Sequence, residues 1–119
     1  MSRLVHAASS GAIAALLAGA PAFAQAPDKA FSHAIAPKKI AEECVKLAAG
    51  QSIAYSFDAS AAVDFNIHFH KGNDVAYPVK RDQVERGDDR FTAPTAEDYC
   101  LMWTNGTAQP VTVKGVVKG

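Results

Sequence analysis

His68 and His70 stand two positions apart in the run Val63-Asp64-Phe65-Asn66-Ile67-His68-Phe69-His70, where apolar and polar residues alternate. On an extended chain both imidazoles leave the same side, their α-carbons about 7 Å apart, and two such rings can converge on one cation. A structural zinc asks for four ligands at about 2.0 to 2.3 Å, and no third histidine or free thiol is close in sequence. Met102 supplies a thioether on the same side if its strand shares the sheet, and a set of His68, His70 and Met102 suits copper better than zinc. His33 is a further imidazole that could swing in, and Asp64 or Asn66 could add oxygen. The competing reading needs no ligand: polar groups on a solvated strand face require no purpose, and Met102 can fill core space. The default is therefore no cofactor, with copper or zinc as the alternative.

Catalytic chemistry finds less to work with. There is no Gly-x-Ser-x-Gly turn, and no glycine loop able to cradle a phosphate. Beyond the N-terminal segment the serines are Ser32, Ser52, Ser56 and Ser60, with no triad spacing. The acidic pairs Glu42-Glu43, Asp88-Asp89 and Glu97-Asp98 fall where solvated charge is the ordinary explanation. The expectation is a protein that is not an enzyme.

These residues must be held by a small scaffold. The chain has 119 residues, 49% hydrophobic and 20% charged, with twelve basic and twelve acidic side chains in balance. That leaves no basic surplus for nucleic acid or an anionic membrane. The first 24 residues differ from the rest: Arg3 precedes the apolar stretch from Ala12, and small residues at Ala22 and Ala24 follow Pro21. This is the pattern of a secretory signal peptide cut before Gln25, and its apolar stretch is too short to span a bilayer. Nothing later reads as a membrane helix, so the mature chain is expected to lack a transmembrane segment and to be periplasmic or secreted. In that oxidising setting Cys44 and Cys100, the only cysteines, are expected to pair. A bridge closing a loop of that size is worth roughly 4 kcal/mol in the chain-entropy model.

Residues 25–39 hold Pro27 and Pro37 and read as a flexible lead-in. Residues 40–49 fit either a helix, with Ile40, Cys44, Leu47 and Ala48 on one face, or an extended strap ending at Gly50-Gln51. From Ser52 the period is two. Ile53, Tyr55 and Phe57 lead to a turn at Asp58-Ala59-Ser60, and Val63, Phe65, Ile67 and Phe69 follow it. Val75, Tyr77 and Val79 make a short strand after the Lys71-Gly72-Asn73-Asp74 turn, and Pro78 places it at an edge. Residues 80–90 carry four basic and four acidic side chains and read as a solvated loop. Phe91 to Ala93 begin another strand, and Tyr99 to Thr104 form the most apolar one. Asn105-Gly106 then suits a tight hairpin turn into Val111-Thr112-Val113. Six or seven short strands in under a hundred residues predict an all-β fold, a small antiparallel β-sandwich with one disulfide.

The order of features resembles the GOLD domain, a small β-sandwich of Golgi cargo receptors and of lipid-transfer and adaptor proteins. The matching residues are Cys44, Gly50-Gln51-Ser52-Ile53, Val63-Asp64-Phe65-Asn66-Ile67, the Gly72-Asn73 turn, Phe91-Thr92-Ala93, and Tyr99 through Asn105. The family's late strand reads Tyr-x-x-Cys-x-x-Asn; here Tyr99 and Asn105 keep that spacing while Cys100 sits two positions earlier. A shift of two preserves the face on which a strand side chain emerges. The resemblance then implies that Tyr99, Leu101 and Trp103 point inward. Cys100 would lie on the outer face, tying the Cys44 segment across it as a strap, which favours the extended form of residues 40–49. It also implies residues 40–119 as the domain, a binding role toward proteins or lipids, and no catalytic residues. The expected partner is a protein or an envelope component, met through an exposed sheet face or residues 80–90.

Overall fold

The computed structural model describes residues 28–119. Six strands follow in order: β1 (Lys29–Ile35), β2 (Ile40–Leu47), β3 (Ser52–Lys71), β4 (Asp74–Thr92), β5 (Glu97–Thr104) and β6 (Val111–Lys118). Every pairing is antiparallel, which gives the all-β architecture expected from the alternation. β4 runs along one side of β3 for nearly its whole length. On the other side, residues 54–59 of β3 pair with β6, and residues 64–68 pair with β5. β1 then adds to β6, and β2 to β5.

This branching makes a sandwich from one sheet, because β3 folds over between its two partners. In a straight strand Tyr55 and Phe65 would lie about 33 Å apart. Here their ring centroids are 5.3 Å apart, and those of Phe57 and Phe65 are 4.8 Å apart. The fold-over occurs at Asp58-Ala59-Ser60-Ala61-Ala62, where the β3–β4 register shifts. Side chains this small let the backbone bend without displacing core neighbours, and irregular registers are where strands turn corners. Composition suggested that a turn ends a strand here; instead the strand continues through it. Opposite the bend, Gln83 takes a positive φ of 54°, and both its backbone N–H and side-chain amide donate to Asp64 Oδ1 at 3.0 and 2.9 Å.

The core lies between the two halves. Tyr99, Leu101 and Trp103 of β5 are buried, as their alternation predicts, with Phe57, Phe65, Ile67, Val111 and Val113 around them. Trp103 receives Phe31 of β1 at 4.8 Å and Phe57 edge-on at 5.5 Å. Its indole N–H is the one buried side-chain polar atom without a hydrogen-bond partner among the described residues. Gly115 is required for this approach, since a β-carbon there would fall 2.1 Å from the Ser56 carbonyl oxygen and 2.7 Å from the Phe31 ring.

Four further expectations are corrected. Residues 29–35, placed in a flexible lead-in, are strand β1, whose Phe31 and Ile35 enter the core. Residues 80–90, read as a loop, belong to β4; backbone pairing with β3 holds them despite their charge. Asn105-Gly106 is not a two-residue hairpin turn: residues 105–110 form a link between strands that each pair with β3, and neither residue has a positive φ. Residues 40–47 are extended, as the resemblance favoured, yet β2 lies beside β5 within the sheet and not across its face. Cys44 therefore sits directly opposite Cys100, to which it is disulfide-bonded. The signal-peptide reading, with its cut before Gln25, falls on residues outside those described. Among the described residues no helix is long and apolar enough to cross a membrane.

Candidate functional site

Three arrangements of polar side chains are built on this frame. The first is the outer face of β2, β5 and β3. Cross-strand partners share a face, so Glu42, Met102 and Asn66 form one row, and Cys44, Cys100 and His68 the next. His68 is only 4% exposed, whereas His70 is exposed. Burial of His68 departs from the solvated face expected, but its ring lies on the side opposite Phe65, Ile67 and Phe69. Its cover is polar and aromatic. Nδ1 lies 2.8 Å from Asn66 Oδ1, Nε2 lies 3.6 Å from Glu42 Oε1, and the His70 and Tyr77 rings stand 5.4 and 5.9 Å away. Burial lowers the pKa of His68 from its ordinary 6.5; Glu42 opposes that shift and His70 adds to it.

The structure brings His68, His70 and Met102 to one face, and holds His33 in the β1/β2 seam against the inward-facing Glu43. Of the two oxygen donors considered, Asp64 Oδ1 accepts from Gln83 across the β3–β4 pair and Asn66 Oδ1 faces His68 Nδ1. Glu42, which sequence reading left among solvated charges, is the carboxylate that meets His68. It is two residues before Cys44 on the same face of β2, and only the β2–β5 and β5–β3 registers bring it to His68.

The second arrangement is the seam between the edge strands β1 and β2, which face one another without backbone pairing. Glu43 is on the inward side of β2 and 7% exposed. Its Oε1 lies 2.7 Å from His33 Nε2, and its Oε2 lies 2.5 Å from Lys29 Nζ, both groups from β1. Burial alone would raise the Glu43 pKa from 4.5, but hydrogen bonds and charge from Lys29 and His33 outweigh it and the pKa is lowered. A cleft of about 300 Å³ opens beside this clamp, floored by Val45, Leu101 and Val117. At the end of the seam Asn105 is fully buried. Its amide donates to the carbonyls of Ile35, Ala36 and Gln109 at 3.0, 3.3 and 2.7 Å, and its Oδ1 accepts from Thr107 N–H and Oγ1–H at 2.9 and 2.7 Å.

The third arrangement is β4 itself. Of its nineteen residues only Phe91 is buried. Tyr77 and Val75 are 51% and 39% exposed, and the Lys80 ammonium stands 5.9 Å from the Tyr77 ring centroid. Where β4 bends with β3, Arg81, Arg86, Asp88 and Asp89 border a shallow hollow over Tyr55 and Phe57.

No family model matches the chain, and no curated protein matches it in sequence. The fold, however, has solved counterparts. One is the pre-peptidase C-terminal domain of collagenase from Bacillus anthracis, with TM-score 0.60 and 12% identity over 77% of this chain and 90% of that one. Another is PliG of Aeromonas hydrophila, a periplasmic inhibitor of g-type lysozyme, with TM-score 0.57 and 16% identity over 78% and 86%. A third is the Yersinia pseudotuberculosis-derived mitogen, with TM-score 0.55 and 10% identity over 76% and 84%. At these identities the likeness is one of fold. None of the three is named as a GOLD domain, so that resemblance stays an expectation drawn from the sequence.

Proposed function

We propose that the chain is an exported, non-enzymatic β-sandwich that binds a partner protein along β4. The observation that carries this reading is the strand's composition against its position. Nineteen residues are held in place by pairing with β3, yet one side chain is buried, and the exposed ones include an aromatic, a valine and charges of both signs. Exposed Tyr and Arg are the residue types that anchor protein interfaces. A leader of signal-peptide pattern and the Cys44–Cys100 bridge support export. The sandwich shared with a periplasmic lysozyme inhibitor is in keeping with a protein partner.

Of the described histidines, His33 is hydrogen-bonded to Glu43 and His68 to Asn66. The experiment is co-purification from the native envelope fraction with the wild-type chain and with a Tyr77→Ala/Arg81→Glu variant. A single protein retained in stoichiometric amount by the wild type and lost by an equally stable variant supports the reading; retention by both overturns it. Because PliG is named for its target, g-type lysozyme is the first purified partner to titrate.

A further inference from the structure

We propose that Glu42, His68 and His70 form a binding site for a divalent first-row transition cation, Zn(II) or Cu(II), on the outer face of β2, β5 and β3. Its ligands lie on β2 and β3, so it does not rest on the partner-binding reading of β4, although the Tyr77 ring of β4 stands 5.9 Å from that of His68. An amide oxygen only accepts, so with Asn66 Oδ1 2.8 Å from His68 Nδ1 the neutral tautomer that satisfies this contact carries its proton on Nδ1. In the neutral ring Nε2 is then a lone pair, held in a fixed direction by a buried partner. This is the way metal-ligating histidines are oriented, with one ring nitrogen donating to a neighbouring oxygen while the other faces the ion.

What Nε2 faces is an acceptor. Glu42 Oε1 lies 3.6 Å away, and two electron-rich atoms are thereby turned toward one another at the margin of a buried site. The spacing suits a cation between them, because two donors each about 2.0 to 2.2 Å from a tetrahedral zinc are about 3.3 to 3.6 Å apart. His70 supplies the third donor. It is exposed and leaves the strand on the same face, with its ring centroid 5.4 Å from that of His68; its nitrogens are not within 4.8 Å of both other donors as the side chain stands, so the ring must turn to complete the set. The fourth position is left to water or a partner's donor.

The bridged sulfurs of Cys44 and Cys100 lie within 4.8 Å of the Glu42 carboxylate, but in a disulfide they offer no thiolate. The ligand set is therefore nitrogen and oxygen, which zinc and copper(II) both accept. Met102 lies on the same face, between Glu42 and Asn66 in the register, without being needed.

The test is calorimetric titration of the untagged, disulfide-bonded chain with Zn(II) and with Cu(II), run in parallel with Glu42→Gln, His70→Ala, His33→Ala and Met102→Leu. The first two variants alter partly or fully exposed side chains, so they keep the fold even if a His68 substitution does not. One ion per chain with micromolar or tighter affinity is expected, weakened at least tenfold by Glu42→Gln and by His70→Ala and unchanged by His33→Ala. In long-range nitrogen NMR spectra the His68 Nε2 resonance should move on adding zinc, while its Nδ1 proton is retained. Millimolar affinity, indifference to Glu42→Gln and His70→Ala, binding only after the disulfide is reduced, or a Met102→Leu loss as large as that of Glu42→Gln would each overturn the assignment.

Discussion

The folded sheet ends in two kinds of edge, and they are finished in opposite ways. At the β1/β2 seam the inward-facing residues include a lysine, a histidine and a buried carboxylate. These groups satisfy one another, while Asn105 binds the two links at the seam's end. Along β4 charges of both signs face water, Pro78 interrupts the row of donors, and the backbone bulges at Gln83. Charge, proline and bulges also keep an edge from pairing with other chains, so β4 is protected from indiscriminate addition of strands while its side chains remain available. The difference teaches where polar residues serve folding and where they do not. Polarity in the seam is paired around the buried Glu43 and Asn105, whereas on β4 it is exposed; even the Arg86–Asp58 ion pair, at 3.9 Å, is solvent-exposed at both ends.

If that division is right, seam substitutions cost stability and β4 substitutions do not. The largest loss is expected for Asn105→Ala. It removes five hydrogen bonds in a fully buried setting and leaves three carbonyls without this donor, a cost of about 3 to 4 kcal/mol by denaturant unfolding. Glu43→Leu should cost about 2 kcal/mol, less than Asn105→Ala because the released Lys29 and His33 reach solvent, with side chains 63% and 31% exposed.

Acid sensitivity follows from two lowered pKa values, and both act in the same direction. Glu43 favours folding as the carboxylate, so its contribution is complete above 4.5 and lost as pH falls through its lowered folded value. His68 favours folding as the neutral ring. Below 6.5 the unfolded chain takes up the proton first, and stability declines as pH drops from there toward the folded value. Thermal melting in a metal-free buffer should therefore fall in two stages on acidification, and should fall again above pH 10, where burial of Tyr55 holds its phenol protonated in the fold after the unfolded chain has ionised. Glu43→Gln should abolish the lower stage. The smallest effect is expected on β4, where Tyr77→Ala/Arg81→Glu should lie within about 0.5 kcal/mol of wild type in unfolding free energy.

The sequence was most readable where burial sets a period of two. The alternations of Ile53, Tyr55 and Phe57, of Val63, Phe65 and Ile67, and of Tyr99, Leu101 and Trp103 all face the core. It was least readable where tertiary partners override local chemistry. β1 was obscured because its inward row is Lys29, Phe31, His33, Ile35, and two of those four are polar for the sake of a carboxylate on another strand. Residues 80–90 were obscured because a strand that buries almost nothing carries no hydrophobic period. Asn105-Gly106 misled through its turn chemistry, since the asparagine works as a buried crosslink between links distant in sequence. Around the candidate site, His68 and His70 could be named from spacing alone. Glu42 could not, because only the β2–β5 and β5–β3 registers bring it to His68.

The claim that β4 is kept for a partner and the seam for the fold is tested most directly by a photo-crosslinking scan in living cells. A photoreactive residue would replace Val75, Tyr77, Arg81, Glu85 and Asp88 in turn on β4, and Ala30, Ser32 and Ala34 on the exposed side of β1. The account predicts adducts of one mass from β4 positions and none from β1. Adducts arising equally from both strands, or from β1 alone, would contradict it.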